Sequence, residues 1–508
     1  MRKNSILASI FSLSFLGLVA KVFGLVREGI FAAYFGTSAQ MDLFGLLTGY
    51  VTTAIAFLAI SLGAAYAPRY VRILQQEGER EASHRFSVLL NQYILFSIAL
   101  YALALLFLPV LANFVCARLE GVGRKEVTLF LDLIFFTIIT GGGTRLFVIA
   151  LNGLRKFGWM QITQLLYAVI AITLTVIWGR QYGMIVVVFS FLINSIVQFC
   201  LLWFVFYRGE REYAFRWDFK DPDTTATWKA LIPVFLGTET YMFGLSIDRS
   251  VGLTLGVVGS VAALNYAGVL FGMINTLITS PINTVFITEM YRRYYKSGDR
   301  KVLFKDLHDN VNHMAVALIP VACFLCVTSL DFITIVLKRG AFNEQSALIT
   351  SSAFLMYALA SPFYAFRNLF TGVHLAMHDN KTPMFSGIIF LVLNFALASL
   401  FSKVIGITGI TLGSFIAMAV SFFFQYFVIR RKHAFEGSLF SGTMKKVLLS
   451  TGVAMAVTFL FSKSGLVGNV YVRFVLEGFA FFGIFLSLLV VTRCDELTLL
   501  LSKFKKHD

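Results

Sequence analysis

Charge is sparse in this chain. Only 14% of its 508 residues are Asp, Glu, Lys or Arg, against 58% that are hydrophobic. Soluble domains carry about 25% charge, so a water-soluble globular fold is excluded. Proline is rare as well, with eight residues in all, and little interrupts the apolar runs that recur from end to end. The polar stretches between those runs stay below about 25 residues, too short for the soluble domain that a nucleotide-driven pump needs. No G-x-x-x-x-G-K-[ST] phosphate loop occurs either. The five cysteines suggest no disulfide framework; Cys323 and Cys326 form a C-x-x-C inside an apolar run, where two small soft residues on one helix face suit core packing. Histidines sit mostly at loop edges without ligand spacing, so no metal, cofactor or catalytic centre is expected.

What remains is membrane. The mean hydropathy is +0.78, and runs of 20 or more apolar residues each suffice to cross ~30 Å of hydrocarbon as a helix. Bounded by charge, Gly and Pro, fourteen spans emerge: 6–34, 42–67, 86–113, 127–152, 158–179, 182–207, 230–257, 261–290, 311–337, 345–377, 384–402, 406–429, 447–462 and 472–492. The expected fold is an all-α polytopic membrane protein. Basic residues set its sidedness: with the N-terminus inside, the cytoplasmic segments carry 29 Lys and Arg and the opposite loops 9. Both termini are therefore expected in the cytoplasm. The net charge of +16 is mainly this topology signal plus attraction to anionic membrane lipids, not a nucleic-acid surface.

Five cations fall well inside the spans, Lys21, Arg27, Arg145, Arg249 and Arg367, while Arg473 at the edge of the last span counts with the loop before it. A lipid-facing Arg or Lys at mid-bilayer costs about 2.5–3.5 kcal/mol even on the gentler scale. Five such residues facing lipid would cost as much as a typical domain is stable, so several are expected to line a polar cavity or to pair with intramembrane acids. A cationic cavity suits an anion or anionic headgroup that cannot cross lipid alone. Arg145 and Arg367 lie about two turns from the inner ends of their spans, where reaching toward headgroups is an equal alternative. Asp132 and Glu239 are candidate partners or proton sites, and Glu477 is a weaker one.

An internal repeat supports the cavity. Phe23-Gly24-Leu25 precedes Arg27-Glu28 in the first span, and Phe243-Gly244-Leu245 precedes Asp248-Arg249 in the seventh. Each continues to a tight turn, Gly36-Thr37-Ser38-Ala39 or Gly259-Ser260-Val261-Ala262, with Asp42 and Asn265 beyond. Parallel halves of six spans follow, with an N-lobe at 1–207, a cytoplasmic linker at 208–229 and a C-lobe at 230–429. Residues 430–508 add two helices and a cytoplasmic tail. Adjacent helical residues point about 100° apart, so Arg27 and Glu28 are not expected to face one common partner, whereas Lys21 and Glu28 share a face. Gly24 and Gly244 would permit a bend beside the charges.

These residues resemble the MurJ (MviN) branch of the multidrug/oligosaccharidyl-lipid/polysaccharide exporter superfamily. The resemblance rests on Lys21-Val-Phe-Gly-Leu-Val-Arg27-Glu28 with Phe35-Gly36 and Asp42. It continues through Ala150-Leu-Asn152-Gly-Leu-Arg-Lys-Phe157, Asp248-Arg249, Ala263-Leu-Asn-Tyr-Ala267, Lys338-Arg-Gly-Ala-Phe342 and Asp379-Asn-Lys-Thr-Pro383. Two departures stand out: the basic residues of that family's second span are absent from Thr48–Ile55, and its acid-Arg pair early in the eighth span is Gly268-Val269 here. The resemblance implies a lipid II flippase of the bacterial cytoplasmic (inner) membrane serving peptidoglycan synthesis. It also implies a central cationic cavity for pyrophosphate and sugars, and a groove from the last two helices for the lipid tail. The expected function is alternating-access export of a lipid-linked pyrophosphoryl precursor. The expected substrate site comprises Lys21, Arg27, Glu28, Asp42, Arg145, Asp248, Arg249 and Arg367, with membrane lipids and an unidentified coupling ion as further partners. The alternatives are export of another lipid-linked oligosaccharide, or cation-coupled drug antiport, which would centre on acids and aromatics.

Overall fold

The structure, a computed structural model, describes residues 3–433, 435 and 441–494, with side chains from Leu16 onward. Arg2 and the basic tail beyond Cys494 lie outside the described residues. Among the described residues there is no strand, and twelve helices are long and apolar enough to cross a membrane. They are preceded by α1 (Lys3–Phe35), and the longest of them, Lys381–His433, breaks in two. The fourteen expected spans are thus present as helices.

In order they are α2 (Ala39–Gln76), α3 (Gly78–Cys116), α4 (Arg124–Gly153), α5 (Gly158–Tyr182), α6 (Ile185–Phe206), α7 (Pro222–Thr254) and α8 (Ser260–Ser297). Then come α9 (Arg300–Val327), α10 (Glu344–Ala376), α11 (381–405), α12 (406–433), α13 (Gly442–Lys463) and α14 (Val470–Val491). A nine-residue helix, Ser329–Leu337, extends α9. The α11–α12 break falls at Ile405 and Gly406, the latter at φ 60°, a left-handed conformation that glycine adopts without a Cβ penalty.

Three spans carry a π-turn: α2 at Ala56–Ile60, α7 at Phe235–Glu239 and α8 at Asn275–Thr279. Such turns admit one extra residue and recur at functional sites. The bend expected at Gly24 and Gly244 is not where the irregularity falls. Helix α1 runs unbroken through Gly24, and α7 departs from regularity two residues after Pro233. The ring nitrogen of that proline has no hydrogen to donate, so the helical ladder is already interrupted there.

Contacts gather the chain into two compact units, Met1–Ala262 with Arg339–Asn343, and Ala263–Lys338 with Glu344–Asp508. Lipid tails are as apolar as leucine, so burial from water does not drive helices together in a bilayer. Shape fit and polar bonds do. In the first unit Phe86 of α3 meets Phe206 of α6 at 4.7 Å between ring centroids, and Phe147 of α4 meets the same ring at 5.6 Å. In the second unit Phe422 of α12 is the hub, 5.4 Å from Phe370 and 5.6 Å from Phe366 of α10.

The 339–343 segment joins the first unit by a close backbone approach. Ala341 N–H donates to the Ala33 carbonyl at 2.8 Å, and a Cβ on Gly340 would overlap that same carbonyl oxygen. Phe342 beside it is buried. This accounts physically for the Gly-Ala-Phe of the Lys338–Phe342 motif.

Candidate functional site

Three of the expected cations gather in the first unit. Arg27 sits one turn beyond Phe23 on α1 and stacks over Tyr167 of α5 at 4.2 Å from the ring centroid, with Phe31 at 5.9 Å. Its guanidinium also pairs with Glu28. Adjacent helical positions diverge at Cβ, yet the long arginine side chain swings back to the neighbouring carboxylate. The pair is therefore internal to α1, which the helical angle alone did not suggest. Glu28 is buried, and Arg27 is largely so.

Lys21, half-buried two turns deeper on α1, has Arg145 and Arg27 as its charged neighbours. Arg145 of α4 in turn faces Glu239, which lies in the π-turn of α7. The Arg145 side chain is exposed, with Glu239 and Lys21 as its charged neighbours.

Depth follows from helix rise. At 1.5 Å per residue, Lys21 stands about 20 Å from the Phe35 end of α1, and Arg145 about 12 Å from the Gly153 end of α4. Both stand in the same half of a ~30 Å core, the half away from Phe35. Like charges held together at such depth repel, and an anion among them relieves that repulsion.

The second group lies on the seam between α2 and α7. Thr53 and Ser246 hydroxyls meet at 2.6 Å, Ser246 also donates to the Gly49 carbonyl at 3.0 Å, and Tyr50 meets Ser250 at 3.0 Å. Arg249 runs alongside, its Nη1 and Cδ packed against the Gly49 backbone so closely that a Cβ there would overlap them. Asp248 is fully buried on the same helix. Sequence reasoning marked Thr48–Ile55 only as lacking charge. In the structure the charge arrives at this segment from α7, and the polar residues of α2 form its bed.

Asp42 does a different job. Its two carboxylate oxygens accept the backbone N–H groups of Gly259 and Ala262, both at 2.6 Å. A carboxylate at the N-terminus of a helix satisfies orphan donors and complements the dipole. Asp42 thereby pins the start of α8 to the start of α2.

Arg367 belongs to the second unit and is buried. Its Nε lies 3.3 Å from the Ser386 hydroxyl, within a network where Ser386 meets Ser421 at 2.7 Å and Gln425 donates to Thr371 and Ser386, both at 3.0 Å. It joins α10, α11 and α12 and has no exposed surface to offer a ligand. Among the intramembrane acids, Asp132 accepts from Tyr101. Glu477 is buried beneath Arg473, which pairs with Asp331 through Nε at 2.6 Å.

The second unit also holds a cavity of about 770 Å³ between α8, α9 and α14, lined by Val285, Phe286, Val316, Pro320, Phe482 and Leu486 among others. Glu289, Arg293 and Asp306 stand at its polar end. The apolar share of this lining suits an alkyl chain.

Residues 31–480 match the family described as lipid II flippase MurJ. A probable lipid II flippase MurJ from Rickettsia prowazekii (strain Madrid E) is 24% identical over 419 residues, covering 80% of each chain. Among solved structures, a lipid II flippase MurJ in an inward closed conformation superposes with a TM-score of 0.78 at 21% identity, over 95% of this chain and 99% of that one. An inward-facing multidrug resistance MATE family transporter of the MOP superfamily follows with a TM-score of 0.68 at 14% identity, over 81% and 94%. At these identities the superpositions speak for the fold alone.

Proposed function

The chain belongs to the lipid II flippase MurJ family, a family of transporters in the bacterial inner membrane, and on that footing we propose that it moves lipid II from the inner to the outer leaflet by alternating access. Both termini lie in the cytoplasm in this reading. The observation that carries it is the gathering of Lys21, Arg27 and Arg145 within one unit, with the Arg145 side chain accessible. Guanidinium groups match phosphate oxygens through two parallel donors, so Arg27, Arg145 and Arg249 bind the pyrophosphate. Glu28 and Glu239 hold the first two of these cations in place before substrate arrives. Asp42 and Asp248 serve the scaffold of the first unit, and Arg367 that of the second.

The prenyl chain takes the apolar cavity lined by α8, α9 and α14. This gives the last helix, α14, a function outside the repeat. A drug antiporter shares the fold, but the cluster of Lys21, Arg27 and Arg145, three cations against Glu28 and Glu239, favours an anionic headgroup over a cationic drug. Expression in a bacterium depleted of its own lipid II flippase tests the reading. Restored growth and cell shape are expected, with loss of rescue for Arg145→Ala. A normally inserted protein that never rescues, while rescuing export of another lipid-linked oligosaccharide, would replace lipid II by that substrate.

A further inference from the structure

The connection between α6 and α7 carries an alternation that the charge count conceals: Tyr213-Ala-Phe215-Arg-Trp217-Asp-Phe219-Lys220. The segment is irregular, with Arg216 N–H donating to the Ala214 carbonyl at 2.9 Å, and its alternate aromatic rings adjoin. Phe215 meets Trp217 at 5.6 Å and Trp217 stacks on Phe219 at 6.5 Å. These rings are 72%, 42% and 63% exposed. Three adjoining aromatics left open in this way are an apolar surface that needs a partner.

The structure fixes where that surface lies. Asn91 of α3 donates to the carbonyls of Ala214 and Arg216 at 3.3 and 3.1 Å, and Gln92 donates to Asp218 O at 2.7 Å. The segment is therefore strapped across α3 at Asn91–Gln92. One turn further along α3, about 6 Å by helix rise, Leu95, Phe96 and Ile98 begin the exposed apolar face that continues to Val110. Trp228 ties the two levels together: its Nε1 donates to Gln92 Oε1 at 2.8 Å and its ring lies 5.3 Å from Phe96. The headgroup layer beyond the hydrocarbon is about 5–8 Å deep on each side. A strap 6 Å from the lipid-facing stripe falls inside that layer.

We propose that residues 213–220 are an interfacial anchor, with Phe215, Trp217 and Phe219 inserted among the headgroups and upper acyl chains of the cytoplasmic leaflet. Aromatic rings prefer this zone, where an apolar body and a wet edge are both accommodated. Arg216 and Lys220 are offset by Asp218 and Asp221, so the anchor acts through ring partitioning and does not select anionic lipid. Bonded to α3 and α7, it sets the depth of the first unit in the inner leaflet.

Trp217 supplies its own probe. The full chain and its Trp217→Phe variant are reconstituted in zwitterionic vesicles, and the difference between their emission spectra isolates this residue among the five tryptophans. The anchor predicts blue-shifted difference emission, quenched by phospholipid labelled near the headgroup and resistant to aqueous acrylamide, unchanged when anionic lipid is added. Replacing Phe215 and Phe219 by Ser should at least double acrylamide quenching of Trp217. Red-shifted emission quenched by acrylamide and untouched by labelled lipid would overturn the anchor. Protection that appears only in native membranes, and never in pure lipid, would overturn it in favour of a protein partner.

Discussion

Arg249 lies across Gly49, its Nη1 and Cδ occupying the space in which any side chain at position 49 would have to sit. A cation from the seventh span is thus seated by an absence in the second. Gly49→Ala displaces the guanidinium by pushing on the end of a flexible side chain, so folding survives while the charge is misplaced. Transport should fall at least tenfold, with membrane abundance and thermal stability close to wild type. Gly49→Ala carrying normal transport would remove Arg249 from the substrate path.

Arg27 needs a paired test. Removing it alone leaves the buried Glu28 carboxylate without its counter-charge, a loss of about 3–5 kcal/mol for a buried pair. Arg27→Ala should therefore lower stability as well as transport. The double variant Arg27→Gln/Glu28→Gln keeps neutral hydrogen-bonding groups at both positions and should recover the fold but not the transport. Arg27→Lys retains charge without the planar fork that stacks on Tyr167, and should fall between wild type and Ala. Thermal unfolding beside a transport assay separates the two losses.

Asp42 is predicted to matter for order, not for substrate. Asn presents one acceptor oxygen where two backbone N–H groups point, so Asp42→Asn should cost about 1.5–3 kcal/mol of local stability, the range for bonds to a charged group. Faster amide exchange at Gly259 and Ala262 is the expected readout, with headgroup binding retained. Unchanged exchange at both amides would contradict the capping role.

The spans were legible because hydrophobic length is a local property, and even the α11–α12 break is announced by Gly406. The cation cluster was only half legible. Lys21, Arg27 and Arg145 were found by their implausibility in lipid, but their grouping depends on how α1 packs on α5 and where α4 carries Arg145, which no spacing along one helix encodes. The same holds for the burial of Arg367: about two turns from a helix end, its position in sequence looks like that of Arg145, and only the serines of α11 and α12 separate them. The alternation at 213–219 was written in the sequence. It went unread because the segment was counted for charge and not for period.

The cavity between α8, α9 and α14 should be specific for the tail. Val285 is exposed at its wall, and Val285→Trp adds bulk there with little strain elsewhere. Flipping of a long-chain substrate should drop several-fold, while binding of a water-soluble headgroup analogue stays at wild-type affinity. Equal loss of both would assign the cavity to the headgroup or to the fold.

The most direct measurement places the purified protein in vesicles containing fluorescent lipid II and follows, with an impermeant quencher, the fraction that changes leaflet. Wild-type protein should equilibrate the label across the bilayer, Arg145→Ala and Arg27→Gln/Glu28→Gln should not, and the same prenol lacking pyrophosphate should neither move nor compete. Movement of the uncharged prenol as readily as lipid II, or full activity in the cation variants, would contradict a flippase that works by holding the pyrophosphate among these cations.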